Sequence, residues 1–133
     1  MTLIEVLLAL TILAGAGFLL MVKLPVYTGR QALDTSATQL LQELRDARQA
    51  ALSENTWYQV KFYFTGGYYR IYRQGTKIKD ITLPNGVILL NQPPDLIFNA
   101  AGAPNNGLTV LLGSGSIQRK VIVAPVTGRI REE

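Results

Sequence analysis

The chain has 133 residues, no cysteine and no histidine, and 13 Lys and Arg against 9 Asp and Glu, for a formal charge of +4. That length allows one modest core, and the missing cysteine excludes disulfide staples and thiol chemistry. The missing histidine excludes Ser–His and Cys–His nucleophilic pairs and the commonest zinc ligand; no catalytic constellation remains, and the chain reads as a non-enzyme.

Residues 1–22, MTLIEVLLALTILAGAGFLLMV, are apolar except for Thr2, Thr11 and one carboxylate, Glu5. As a helix rising about 1.5 Å per residue, such a run spans the ~30 Å hydrocarbon core of a bilayer. A carboxylate placed there costs roughly 2.5–3.5 kcal/mol, which marks Glu5 as a functional residue by default. It needs a cation, and the nearest is an N-terminal amine, its own or that of a neighbouring copy. The plainer alternative is an ordinary membrane anchor with Glu5 at the interface. Gly15 and Gly17 weaken the middle of the helix and Pro25 removes an amide hydrogen bond. Residues 15–25 are therefore expected to unwind in an assembled polymer and to stay helical in a membrane-bound monomer.

From there Leu33, Ala37, Leu40, Leu41, Leu44, Ala47, Ala51 and Leu52 recur at helical spacing, opposite Arg30, Asp34, Glu43, Arg45, Asp46 and Gln49. This amphipathic half should lay one stripe on a β-sheet and stop at Asn55. Period two then takes over: a strand at 57–64 puts Tyr58, Val60, Phe62 and Phe64 on one face, and Gly66-Gly67 turns it into 68–73. Further strands are expected at 77–83, 87–90, 96–98, 108–112, 117–123 and 126–131. Residues 99–107, rich in Gly, Asn and Pro, read as an exposed loop, and Gly113-Ser114-Gly115-Ser116 as a hairpin turn. The expected fold is α+β, a long N-terminal hydrophobic helix packed on a meandering antiparallel β-sheet domain. Its parts are a membrane and polymerisation half of the helix at 1–26, an amphipathic half at 27–54 and the β domain at 55–133.

Trp57, Tyr58, Phe62, Tyr63, Phe64, Tyr68, Tyr69 and Tyr72 fall at strand spacing and read mainly as sheet core, with Tyr68 and Tyr72 beside Arg70 as outward candidates. Arg70, Arg73, Lys77, Lys79, Arg119, Lys120, Arg129 and Arg131 face only Asp80 and Asp95 within residues 57–131. Such an excess attracts polyanions, DNA among them, or serves as a solvated face. Neither aspartate has calcium-loop spacing, and no cofactor or metal is expected.

Thr2-Leu3-Ile4-Glu5-Val6-Leu7, followed by Leu8-Ala9-Leu10, resembles the mature N-terminus of type IV pilins and of the related secretion and competence pseudopilins. In that family a basic leader is removed before residue 1, the new N-terminus is methylated, and the carboxylate at the position of Glu5 pairs with the amine of an adjacent subunit. Met1 stands where Phe is commoner, as either the processed, methylated residue or an initiator. As an initiator it would leave Lys23 and Arg30 behind the span, and the positive-inside tendency would hold the rest in the cytoplasm. A chain already trimmed of its leader is the expectation.

Leu40-Leu41-Gln42-Glu43-Leu44-Arg45-Asp46-Ala47-Arg48, Gly67-Tyr68-Tyr69, Leu83-Pro84-Asn85-Gly86-Val87, Ile97-Phe98-Asn99 and Thr127-Gly128-Arg129-Ile130 narrow the likeness. They resemble the secretion-system protein H and FimT-like minor pseudopilins. The resemblance implies a structural subunit of a type IV pilus-like filament, a homo-oligomer or a co-polymer with other pilins. It also implies handling by a prepilin peptidase and an inner-membrane assembly platform, first as a membrane precursor and then in an extracellular or periplasmic filament. The alternative is a DNA-binding minor pilin of a competence-type filament, using the basic β domain.

Overall fold

The computed structural model describes residues 1–16 and 29–133 in full, and residues 17–28 lie outside the described residues. One helix, α1 (Leu3–Glu54), begins the chain. Leu33, Ala37, Leu40, Leu44, Ala47 and Ala51 form a stripe along it that is buried to the last few per cent. Three leucines and three alanines share the stripe, and the alanines let the helix sit close to the strands beneath. Asn55 ends α1 in the left-handed conformation, φ 51°, with its N–H donated to the Ala51 carbonyl, the αL cap that Asn tolerates better than most residues. Of the three expected helix breakers, Gly15 has open space about it, while Gly17 and Pro25 lie outside the described residues.

Eight strands follow: β1 (Tyr58–Tyr63), β2 (Tyr68–Arg73), β3 (Thr76–Thr82), β4 (Ile88–Leu89), β5 (Leu96–Phe98), β6 (Leu108–Ser114), β7 (Ile117–Val123) and β8 (Ile130–Glu132). They do not form a single meander. Four make one sheet in the order β3-β2-β1-β5, and four make a second in the order β4-β6-β7-β8. All pairings are antiparallel. α1 packs on β6, β7 and β8 of the second sheet and on β1 and β5 of the first. Val60, Leu96, Phe98, Val110, Leu112 and Val121, all inaccessible, join the helix stripe in one core.

The split arises at the chain's crossing from β4 to β5. Asn91 gives its side-chain N–H to the Thr109 carbonyl (2.7 Å) and takes the Leu111 N–H (2.8 Å), extending the ladder of β6. Gln92 gives its side-chain N–H to the Phe62 carbonyl (3.0 Å) and takes the Phe64 N–H (3.2 Å), bonding the end of β1. Two adjacent side-chain amides thus stand in for strand backbone on two different sheets. Between β2 and β3, Gln74 and Gly75 both take positive φ, 48° and 83°, the two-residue turn whose twist matches a hairpin.

The loop at 99–107 folds back on the domain. Asn99 Oδ1 accepts the N–H groups of Ala101 and Ala103, both at 3.0 Å, and Phe98 bridges to Pro104. The last strand starts later than the expected 126, because Pro125 to Gly128 form a tight turn before it.

Candidate functional site

Glu5 stands in the first turn of α1. Its Oε2 accepts the Thr2 N–H at 2.9 Å and the Thr2 hydroxyl at 3.2 Å, while its own N–H donates to the Thr2 carbonyl at 3.1 Å. The carboxylate closes the helix start on itself, where the N-terminal end of the helix dipole favours negative charge. Around it the helix is bare: Leu3 is 80 %, Ile4 73 %, Leu8 63 % and Leu13 69 % exposed. Among the described residues no helix is long and apolar enough to cross a membrane. Residues 17–22, the remainder of the expected span, are outside them.

The basic residues of the β domain are gathered differently from their order in the sequence. Arg70 Nε lies 2.7 Å and Lys77 Nζ 3.0 Å from the Asp80 carboxylate. Arg73 pairs with Glu54 and Lys79 with Glu43, both at 2.6 Å; Arg119 pairs with Asp34 at 2.8 Å and Arg131 with Glu133 at 3.1 Å. Among the described residues, only Lys120 and Arg129 of the eight candidate cations have no carboxylate partner. A tally confined to residues 57–131 misses this, because Asp34, Glu43 and Glu54 arrive from α1. The positive field is therefore smaller than the count of basic residues. Hydrogen bonding from Lys77, joined by Arg70, holds the Asp80 carboxyl below the usual carboxylate range.

The aromatic residues divide between two faces of the first sheet. Tyr58, Phe62 and Tyr69 point inward and are buried, and burial pushes the Tyr69 phenol above its usual range. Tyr63, Tyr68 and Tyr72 are half-buried on the outer face. The rings of Tyr63 and Tyr68 stack at 4.5 Å, and the Arg70 guanidinium stands over both, at 5.1 and 5.0 Å. Lys61 Nζ stands 5.5 Å from the Tyr72 ring, and the hydroxyls of Tyr63 and Tyr72 are 3.3 Å apart. Bonding to Tyr63, with Arg70 beside it, lowers the Tyr72 phenol. These rings already have intramolecular cations on their faces, so the ladder satisfies itself. Trp57 and Phe64, expected in the core, are 38 % and 48 % exposed, because β1 begins after the one and ends before the other.

Arg48, which carried no assigned role in the sequence, ties two loops together. Its Nε donates to the Gly102 carbonyl at 3.0 Å and a terminal nitrogen to the Thr127 carbonyl at 3.1 Å. An arginine on a helix next to a Gly-containing loop is a weak signal, and nothing in the sequence pairs it with residues 54 and 79 positions away.

In chemical terms the molecule offers an exposed apolar helix start carrying one acid, and a rigid β domain. No family model matches the chain, and no curated protein matches it. Solved structures do. The minor pseudopilin EpsH from the type 2 secretion system of Vibrio cholerae superposes with a TM-score of 0.65 at 18 % identity, over 76 % of this chain and 95 % of that one. The type IV minor pilin FimU of Pseudomonas aeruginosa superposes with a TM-score of 0.65 at 18 % identity, over 80 % of this chain and 92 % of that one. A second EpsH structure gives 0.64 at 13 % identity, over 77 % and 93 %. The fold is that of type IV pilins and pseudopilins.

Proposed function

We propose that the protein is a structural subunit of a type IV pilus-like filament, held in the inner membrane by its N-terminal helix before assembly and polymerised through that helix. The observation that carries this reading is the exposed apolar helix start with Glu5 in its first turn, on a β domain that has the pilin fold. An apolar surface that long needs a cover, and lipid before assembly and neighbouring helices after it supply one. Within a bundle of such helices the low dielectric makes an unpaired carboxylate costly, so Glu5 would be satisfied by a neighbour's N-terminal amine at one axial offset. That offset sets the register of the polymer. Processing by a prepilin peptidase, methylation of Met1 and docking on an inner-membrane assembly platform belong to the same reading. The test is polymer yield with Glu5→Ala, read beside mass spectrometry of residue 1. Normal yield from the variant would remove Glu5 from assembly.

A second reading, a filament subunit that binds DNA through its β domain, rests on Lys120 and Arg129, the candidate cations left without carboxylate partners among the described residues. A salt-dependent gel shift of the full chain in detergent tests it. No shift at low salt would dispose of it.

A further inference from the structure

Val126 is a β-branched residue at φ 68°, and it is 82 % exposed. The Thr127 N–H reaches back over it to the Pro125 carbonyl at 2.8 Å, a three-residue turn of the rare positive-φ form. A branched side chain in this conformation is strained, and the surroundings hold it there. Arg48 grips the Thr127 carbonyl, and the Gly128 N–H bonds the Ala124 carbonyl at 3.1 Å. The second sheet thus presents a stiff apolar knob between β7 and β8, with exposed Arg129 beside it.

On the other flank of α1, where β3 leaves its register with β2 at Ile71/Tyr72, lies a cleft of ≈ 210 Å³ between helix and sheet. Ala47, Ala50, Ile71 and Ile78 supply apolar walls; of the charged residues in the lining, Glu43 and Lys79 pair with each other at 2.6 Å, which leaves Asp46 as the unpaired acid. Asp46 is exposed, hydrogen-bonded to Gln42 at 2.7 Å, and in no ion pair among the described residues. Arg48, which holds the knob, falls within the stretch of α1 that lines the cleft. Knob and cleft therefore stand at similar heights along the helix.

We propose that the Val126 knob of one subunit seats in the α1–β3 cleft of a second copy of this chain, with Arg129 of the first facing Asp46 of the second. The two surfaces are different patches of the same molecule, so the contact is head-to-tail and repeats from copy to copy along a filament instead of closing as a self-complementary pair. The free cation beside the knob matches the free acid beside the cleft. This inference rests on the filament reading and adds a contact between β domains to the one between N-terminal helices. The charges would contribute register and selectivity, and the apolar contact the buried area.

The chain has no cysteine, so disulfides in a Val126→Cys, Ile78→Cys double variant form only at these two positions, and either single variant shows what self-pairing of one position gives. The full chain, assembled and treated with copper–phenanthroline, should give a ladder of disulfide-linked dimers, trimers and higher species, since only juxtaposed residues close the bond. Arg129→Glu or Asp46→Arg alone should weaken the ladder about tenfold, and the two together should restore it to within about twofold. Filaments without the ladder would overturn the contact and leave the filament reading standing. Linked dimers with nothing larger would overturn it too, by showing a closed pairing, and the absence of both filament and ladder would overturn both readings.

Discussion

Asn91 and Gln92 are neighbours in the chain and bond to different sheets, Asn91 to Thr109 and Leu111 beside β6, Gln92 to Phe62 and Phe64 at the end of β1. The crossing point between the two sheets is therefore held by four hydrogen bonds from two side chains. Asn91→Leu removes one pair and leaves the Thr109 carbonyl and Leu111 N–H without those partners. The expected loss is about 1–3 kcal/mol in chemical denaturation. Gln92→Leu, whose bonds lie nearer solvent at Phe64, should cost less, about 1 kcal/mol. A larger loss at Gln92 than at Asn91 would reverse the assignment of the tighter anchor.

Arg48 joins residues 102 and 127 with two bonds that diverge from one guanidinium. Arg48→Lys keeps the charge but has a single nitrogen, so one carbonyl loses its donor. The substitution should cost about 1.5–3 kcal/mol, close to the cost of Arg48→Ala. Hydrogen exchange should rise in the turn at 125–128 in both variants. Stability unchanged by Arg48→Lys would show that the charge alone, and not the fork, serves these loops.

The helix and the strand positions were legible because their apolar periods extend over many residues, as the fully buried stripe from Leu33 to Ala51 shows. The division into two sheets was not legible. β4 and β5 have two and three residues, too few for a pattern to choose a partner strand. The signal lay in Asn91-Gln92, which reads as loop composition until both amides are seen to bond as backbone does. The outer tyrosines Tyr68 and Tyr72 were placed correctly by alternation along β2. The neutralisation of Lys79, Arg73 and Arg119 was invisible because it depends on which turn of α1 lies above each strand.

Asp80 carries two cations on the outer face of the first sheet, and its folded-state pKa is depressed by Lys77 and Arg70. A depressed carboxyl contributes stability that is fully present above its unfolded pKa, about 3.9, and is lost as pH falls through the folded value. The contribution should thus be constant from neutral pH to about 5 and fade below about 3.9. In Asp80→Asn the melting temperature should vary less with pH over that acid interval than in the parent chain. An equal acid slope in the two proteins would mean the pairs add nothing to folding.

Glu5 has two separable roles, the helix start seen here and the proposed pairing in a polymer. Gln at the same place still accepts the Thr2 N–H, as capping boxes with Gln do, but carries no charge. Ala loses both. If charge pairing drives assembly, Glu5→Gln and Glu5→Ala should both lose most of the polymer while still inserting in membranes. Filament yield from Glu5→Gln equal to the parent's would mean that the cap, not the charge, is what assembly uses.

Gly128 and Gly75 both take positive φ, 66° and 83°, yet replacement should affect them differently. A Cβ at Gly75 meets only the edge of Trp57 at 4.0 Å, an ordinary contact. Gly75→Ala therefore bears the left-handed penalty alone, about 1 kcal/mol. A Cβ at Gly128 stands 3.0 Å from the Gly102 carbonyl oxygen and 3.2 Å from both Arg48 Nε and Pro104 Cδ. Backbone must move to admit it, and the Arg48–Gly102 bond lies directly in the way. Gly128→Ala should cost about 2–4 kcal/mol, the left-handed penalty plus the broken charge-assisted bond. Most of the excess should vanish in an Arg48→Ala background, where that bond is already gone. A double-mutant cycle in denaturant measures the coupling. Strictly additive losses at residues 48 and 128 would show that Gly128 is needed for its dihedral angle only.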